Sequence, residues 1–511
     1  MTTPRETELK LEFEASDLAT LSGHPLLGGS AAEERLTSVY FDTEDRRLSE
    51  AGYTLRVRSN GARHIQTVKA AGTGAGLFER PEWEWVIKGA EPDLTPLCDT
   101  PVADLLDRKS TLKPLFSAAV ERSVRAIDRG DTRIEVALDR GRITAIDGAI
   151  DRVAPINELE LELKGGTAAD LFALARDLNA SVPLRLGVMT KAERGFALLA
   201  GRLDRFSKAE PLRLDPAMSA GAALQAIAQA CLRHMRRNEE ALLAHREVEA
   251  LHQLRVSLRR LRSAFSLFGD LVDDARSPGL RAELKRLSEP FGVARNLDVF
   301  LRSTLPAERE RRPDEAGLLN LEKHLEGERT KAYDAVVAIL RSAEWRLFLL
   351  DLVAWVDAGP WLAPDAPQAD RRDGPARAFA AEELERRRRK LKKRGRGLDE
   401  LDPEARHQVR IAAKKLRYGA EFFGSLYPKP KAAKRHKVFV GALSDLQDCL
   451  GDLNDISTAH RLTEDLTRGA PDSAIFAAGL TTADMEERTA RLLAAAAKAH
   501  AALIDVRPFW R

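Results

Sequence analysis

Read with a period of two, the segment TELKLEF places Glu6, Glu8, Lys10 and Glu12 on one face and Leu9, Leu11 and Phe13 on the other, which predicts a β-strand with one apolar face. The alternation returns in GYTLRVRS (Arg56 and Arg58 against Leu55 and Val57), RPEWEWVI (Arg80, Glu82 and Glu84 against Trp83 and Trp85) and NELELELK (Glu158, Glu160, Glu162 and Lys164 against Leu159, Leu161 and Leu163). TSVYFDT, HIQTVKA, AVERSVRAI and TRIEVALD have strand composition and add Lys69, Arg122, Arg125, Glu135 and Asp139. Eight such strands predict an antiparallel barrel or a strongly curled sheet. Their apolar faces, both tryptophans included, are expected to pack outward on helices such as AADLFALARDLNA.

Further along, the period lengthens and Ala, Leu and Arg dominate, which predicts helices. Between the two regimes, RLDRFSKAEPLRLDPAMS holds two prolines and no long apolar run, placing a linker at 201–216. The expected fold class is α+β multidomain: an N-terminal antiparallel β-barrel with flanking helices at 1–200, then an all-α domain at 217–511. The second region repeats itself. HQLRVSLRRLRSAFSLF from His252 aligns without gaps on HQVRIAAKKLRYGAEFF from His407, every pair 155 residues apart. LSEPFGVARNLDVF is echoed by LQDCLGDLNDISTA at a slightly larger offset. Two related helical halves follow, at about 217–345 and 376–500. On a helix His252, Arg255, Arg259 and Arg262 form one cationic stripe, matched by His407, Arg410, Lys414 and Arg417, while Leu254, Val256, Leu258, Leu261 and Phe265 are left to build core.

Charge sharpens this division. The 511 residues carry a net +3, but residues 1–200 sum to −6 and residues 201–511 to +9. Three widely separated cysteines, Cys98, Cys231 and Cys449, exclude a disulfide scaffold or a Cys-based zinc site and fit a reducing cytoplasm. The polar start MTTPRETELK and the absence of any stretch of 18 apolar residues speak against a signal peptide and a membrane span. A polar strand face is usually solvated and mixed in composition, whereas these faces are almost purely Glu, Arg and Lys, with Arg-rich and Glu-rich strands kept apart. Turned into a barrel, so many ions need partners. A polyanion with a divalent cation supplies both signs, because Arg and Lys hydrogen-bond phosphate oxygens and carboxylates are hard ligands for magnesium or manganese. The duplicated stripe suits a long polyanion. Nucleic acid is the competing ligand there, but the motif has no aromatic platform and Tyr418 occurs in one copy alone. The run RRRRKLKKRGRG from Arg386 reads as a solvated helix face or a mobile basic segment auxiliary to the stripe.

On ExExK (Glu6, Glu8, Lys10), LRVR, TVK, RPEWE, IEVALDRG, ELELELK and KAERG in this order, residues 1–200 resemble the CYTH domains, also called triphosphate tunnel metalloenzymes. The resemblance implies a tunnel in which Glu6, Glu8, Glu158, Glu160 and Glu162 hold Mg2+ or Mn2+, while Lys10, Arg56, Arg58, Lys69, Arg122 or Arg125, Lys191 and Arg194 hold phosphates. The odd spacing of Arg122 and Arg125 lets a regular strand turn only one of them inward. It further implies metal-dependent hydrolysis of inorganic triphosphate or short polyphosphate without a covalent nucleophile, with Glu6, Glu8 and Lys10 as the catalytic set. Thiamine triphosphate hydrolysis and adenylate cyclisation lie within the same family's range, and a non-catalytic polyphosphate scaffold is the rival of another class. Residues 217–500 resemble the CHAD domain on the twice-occurring HxxR and RxLR or KxLR elements, which implies binding of long-chain inorganic polyphosphate at His252, Arg255, Arg259, Arg262, His407, Arg410, Lys414 and Arg417.

Overall fold

The computed structural model describes residues 5–61, 63–70, 74–106, 110–146, 152–466 and 471–511, with the side chains of 5–6, 79–80, 455, 457–466 and 480–488 outside the description. The chain divides into two compact units, Met1–Phe206 with Arg341–Gly359, and Ser207–Leu340 with Pro360–Arg511.

The first unit is built on strands β1 (Arg5–Glu12), β2 (Ala32–Thr43), β3 (Tyr53–Asn60), β4 (Arg63–Ala70), β5 (Leu77–Ile87), β6 (Leu112–Arg129), β7 (Thr132–Ala145), β8 (Val153–Gly165) and β9 (Arg185–Leu186). All pairings are antiparallel, in the order β5-β4-β3-β2-β6-β7-β8-β1-β9. The sheet closes on itself because Arg5–Leu9 of β1 also pair with Leu77–Pro81 of β5. Closure removes the exposed edges and turns one face of every strand inward. The leucines of the β1 and β8 alternation, Leu9, Leu11, Leu159 and Leu161, are buried on the outer face, each contributing about 1.5–3 kcal/mol of transfer energy. Helix Ala168–Asn179 covers β8 and β1. Trp83 and Trp85 do not pack on that helix: they join Phe41, Leu55, Val57 and Val68 against Leu97 and Val102 of the turns after β5. Helix Lys191–Leu199 lies over β6 and β7. A Cβ on its Gly195 would come within 2.1 Å of the Phe116 ring, so only glycine lets this helix approach so closely.

The first unit is discontinuous in sequence. Helix Ala343–Ala358, expected between the two halves of the helical domain, packs on Ala168–Asn179 and β9. Arg176 pairs with its Asp351, and its Arg346 donates to Asn179 Oδ1 at 3.4 Å. Burial of Trp345, Phe348, Leu352, Val353 and Trp355 explains why its sequence is apolar on nearly every side.

In the second unit, helices Ala220–His245 and Val248–Leu267 form one hairpin and Ala376–Arg394 and Pro403–Phe423 form its repeat. Their starts meet reciprocally: Ala220 N–H donates to Gly374 O at 2.9 Å and Ala376 N–H to Met218 O at 3.0 Å. Val248–Leu267 and Pro403–Phe423, which carry the two histidine motifs, pack on one another, and the contact is fastened by Arg260 to Glu421 at 3.0 Å. No described helix is long and apolar enough to cross a membrane.

Candidate active site

The inward faces of the barrel strands enclose a cavity of about 630 Å3 lined by seven cationic and eight anionic side chains. Signs are segregated in part, with Lys10, Lys164 and Lys191 standing among the acids and Glu82 and Glu84 beside the cations. Arg56 and Arg58 of β3, Lys69 of β4 and Arg122 of β6 form a cationic wall; Glu8 of β1, Glu135 and Asp139 of β7 and Glu160 and Glu162 of β8 form an anionic one. Glu82 of β5 takes up Lys69 at 2.7 Å, and Arg56 lies 3.8 and 3.9 Å from Glu82 and Glu84. Arg58 forms no ion pair among the described residues. Its guanidinium is pushed down to about 10 by repulsion from Arg56, then by burial and by Arg122. Three guanidinium groups thus converge where a bound anion would relieve their repulsion.

On the opposite wall, register sets Glu8 against Glu162 and Glu162 against Glu135. Like charges directly opposite one another across strands are destabilising, and Lys164, 2.5 Å from Glu162 and 3.5 Å from Glu135, offsets the repulsion in part. This row of hard oxygen donors on three adjacent strands fits a divalent cation.

Below it lies a closed ion-pair floor. Carboxylate oxygens of Asp139, Glu158 and Glu160 lie within 4.8 Å of one another, but cations already fill the space between them. Lys191 Nζ reaches Asp139, Glu158 and Glu160 at 2.8, 2.6 and 2.7 Å. Arg122 makes a forked contact with Asp139, both bonds 2.7 Å, and reaches Glu160 at 2.6 Å. Lys10 pairs with Glu158 at 2.9 Å and donates to Met189 O at 2.9 Å. Burial alone would raise the Glu158 carboxyl, yet Lys10, Lys191 and Arg194 outweigh it and hold it down at about 2. Glu160 is likewise held well below the usual carboxylate range, Lys191 and Arg122 overcoming its burial. Depressed carboxylates stabilise the fold above their unfolded value near 4.5, and that contribution is lost as pH falls through the folded value. The barrel is therefore expected to lose stability progressively between pH 4.5 and 2, with Glu158→Gln flattening that limb; urea unfolding across this range checks it.

Helix Lys191–Leu199 places Lys191 in its first turn by a capping box, Thr190 accepting from Glu193 N–H at 3.2 Å and Glu193 accepting from Thr190 N–H at 2.7 Å. A lysine at a helix N-terminus opposes the macrodipole; the three carboxylates offset this.

Glu8, Lys10, Arg56, Arg58, Lys69, Arg122, Glu160, Glu162 and Lys191 all line the cavity. Three expected residues do not. Arg125 turns outward and donates to Ser22 O and Leu27 O at 3.1 and 2.9 Å, because the strand parity that sends Arg122 inward sends Arg125 out. Glu158 is fully buried behind the lining, held by the lysines that neutralise it. Arg194 turns to Pro155 O at 2.8 Å, with Glu158 at 3.6 Å and Glu12 at 3.8 Å. The Glu6 side chain lies outside the described residues. Glu135 and Asp139 were missed as site residues, although TRIEVALD shows them on one strand face; only the register reveals that they stand beside Glu162 and Glu158.

In the second unit His252, Arg255 and Arg259 are half-buried and Arg262 is exposed. Arg255 donates to Phe291 O at 3.1 Å and Gly292 O at 2.9 Å. Its guanidinium is pushed down to about 10 by burial, then by Arg259, Arg295 and Arg410, so both copies contribute to one cationic cluster. Burial and Arg295 also lower His252. In the other copy His407 Nδ1 and Arg410 both lie 3.2 Å from Asn454 Oδ1. Lys414 is half-buried, and Arg417 is tied to Glu421 at 2.9 Å. Arg295 was missed in the sequence; matching LSEPFGVARNLDVF with LQDCLGDLNDISTA position by position sets it against Asn454, so the copies differ by one charge at this point.

Residues 4–196 match the CYTH domain model and residues 226–464 the CHAD domain model. An inorganic triphosphatase of Haemophilus influenzae is 32% identical over 165 residues, 32% of this chain and 46% of the relative; the chain thus spans about half the length of that curated relative. The crystal structure of the CHAD domain from the plant Ricinus communis is 33% identical with a TM-score of 0.50, covering 58% of this chain and 96% of that one. PptA from Streptomyces chartreusis is 20% identical with a TM-score of 0.42, covering 55% of this chain and 99% of that one.

Proposed function

The chain carries a CYTH domain followed by a CHAD domain, and on that premise we propose that the barrel hydrolyses inorganic triphosphate or short polyphosphate and that the helical unit binds long-chain polyphosphate. The observation that carries the first part is the convergence of Arg56, Arg58 and Arg122 opposite the Glu8, Glu162 and Glu135 row. The inorganic triphosphatase relative supports it. Arg56, Arg58 and Lys69 clamp phosphoryl oxygens and neutralise the charge that limits attack by water. Glu8, Glu162 and Glu135 would hold Mg2+ or Mn2+, which would supply Lewis-acid charge to the phosphoryl oxygens and the attacking water. Lys10 and Lys191 hold the floor beneath the substrate, and Lys10 has its ammonium committed to Glu158 and Met189 O. No nucleophilic side chain is required.

A panel of inorganic triphosphate, long polyphosphate, ATP and thiamine triphosphate with either metal tests the reading. Orthophosphate release fastest from inorganic triphosphate is expected; cyclic nucleotide formation, preference for thiamine triphosphate, or binding without turnover would each replace it.

For the helical unit, the shared cluster of Arg255, Arg259, Arg295 and Arg410 supports polyphosphate binding across both copies. Arg255→Ala and Arg410→Ala in the full chain are each expected to weaken binding and to lower the salt dependence of log K by roughly one unit, with the larger loss at Arg255 because of Arg295. Titration at several salt concentrations checks this, and loss confined to one copy would return the repeat to a purely structural role.

A further inference from the structure

Helix Ala168–Asn179 and helix Lys191–Leu199 are joined by a buried segment: Pro183 bars the first helix from continuing, and Val182, Leu184, Leu186 and Val188 are all shielded from solvent. Strand β9 within it pairs with the end of β1, Leu186 against Leu11 and Arg185 against Glu12. Gly187 N–H then donates to Lys10 O at 2.9 Å, and Met189 O accepts from Lys10 Nζ at 2.9 Å. The segment thus holds Lys10 at its backbone and at its ammonium. A Cβ on Gly187 would come within 2.8 Å of Lys10 Cγ, so glycine lets the segment lie directly on the lysine stem. Thr190 next caps the helix that begins with Lys191. Both floor lysines therefore take their position from Val182–Thr190.

Asn179 fixes that segment from the side away from Lys10. Its side chain is buried, and its Oδ1 accepts from Leu184 N–H at 2.9 Å, tying the end of one helix to the first residue after the proline. The same oxygen accepts from Arg346 Nε at 3.4 Å. Arg346 is anchored in turn by its bond to Arg341 O at 2.6 Å, and helix Ala343–Ala358, which carries it, packs on Ala168–Asn179 and β9. The chain leaves the helical unit after Leu340 to make this helix and re-enters it at Pro360. The helix's ion pair, Asp351 with Arg176, is made to helix Ala168–Asn179 and not to the segment.

We propose that Asn179 and Arg346 are positioning residues for triphosphate hydrolysis, setting through Leu184–Met189 the height at which Lys10 and Lys191 stand beneath the substrate. The inference rests on the reading of the barrel as a triphosphatase. Neither residue lines the cavity, so their effect on turnover passes through the lysines. A displacement of about 1 Å at a reacting site costs up to about a hundredfold in rate, and supporting hydrogen bonds are what prevent it. Removing the Asn179 acceptor leaves the Leu184 N–H without its partner, a cost that movement of the segment relieves. Arg56, Arg58 and Lys69 stand on β3 and β4 and are untouched, so substrate still binds and the rate falls more than the affinity.

The test measures orthophosphate release from inorganic triphosphate by the full chain at saturating Mg2+ or Mn2+, in wild type and in Asn179→Ala, Arg346→Ala, Asn179→Asp and Asp351→Asn. Competent sites are counted by titration with inorganic triphosphate without metal, so that unfolded protein is not read as slow protein. Asn179→Ala and Arg346→Ala are expected to lower kcat per site at least about tenfold, with KM within about threefold. The double variant should do no worse than the stronger single one, because both act on one oxygen. Asn179→Asp keeps the acceptor and is expected to stay within about twofold of wild type. Asp351→Asn removes a partly exposed ion pair and should leave kcat unchanged, whatever its melting temperature. Unchanged kcat per site in Asn179→Ala and Arg346→Ala, a change in KM alone, or an equal loss in Asp351→Asn would overturn the positioning role. If Asn179→Ala does not fold, Arg346→Ala against Asp351→Asn decides the question. A wild type that binds triphosphate and releases no orthophosphate fails the parent reading and this role with it, whereas a wild type that turns over while both positions are indifferent fails the inference alone.

Discussion

Replacing Glu8 with Gln is expected to lower turnover of inorganic triphosphate by at least about a hundredfold, on the order of 2.7 kcal/mol of transition-state stabilisation. The amide has the size of the carboxylate, and the neighbouring Leu9 and Leu11 that anchor β1 are buried on the other face, so the strand keeps its packing. Removing one charge from the Glu8, Glu162 and Glu135 row also relieves cross-strand repulsion. Metal-free Glu8→Gln protein should then melt at the wild-type temperature or above it, while activity collapses. Near-normal turnover at saturating Mg2+ or Mn2+ would remove Glu8 from the donor set.

The largest effect on stability is expected at Lys191. Its ammonium is shared among Asp139, Glu158 and Glu160, and those charges raise it well above the usual lysine value despite burial. Lys191→Met keeps the apolar stem and removes the cation, leaving three carboxylates within 4.8 Å of one another to Arg122, Lys10 and the more distant Arg194, 3.6 Å from Glu158. Breaking a buried ion-pair network in this way costs roughly 3–5 kcal/mol. Urea unfolding measures the loss, which should shrink below the usual carboxylate pKa as the acids take up protons. A loss under about 1 kcal/mol at neutral pH would show that the floor contributes little.

The barrel was legible because period-two alternation survives in strands whose inner face is charged and whose outer face is leucine. Among the described residues nine strands form where eight were expected, the ninth being only Arg185–Leu186. What one strand cannot reveal is register, and the differences at the site follow from that. Arg122 and Arg125 are distinguished by Arg122 standing opposite Asp139 across β6 and β7. Glu158 and Glu162 share a strand face, yet one is sealed beneath lysines and the other faces the cavity, a difference set by depth along the barrel. Helix Ala343–Ala358 was illegible for another reason: apolar on nearly all sides, it has no polar face to show what it packs against, and its place in the first unit depends on contacts with residues some 170 positions away. In the helical unit the repeat located both stripes, whereas Arg295 lies in the second, echoed segment, where the other copy has Asn454 at the matching position.

Metal-assisted hydrolysis in the barrel is tested most directly by orthophosphate release from inorganic triphosphate by the full chain as Mg2+ or Mn2+ is titrated in and then chelated. Release that rises from baseline with metal, saturates, and disappears on chelation is predicted. An absence of release with both metals, from protein that folds and binds inorganic triphosphate, would contradict it.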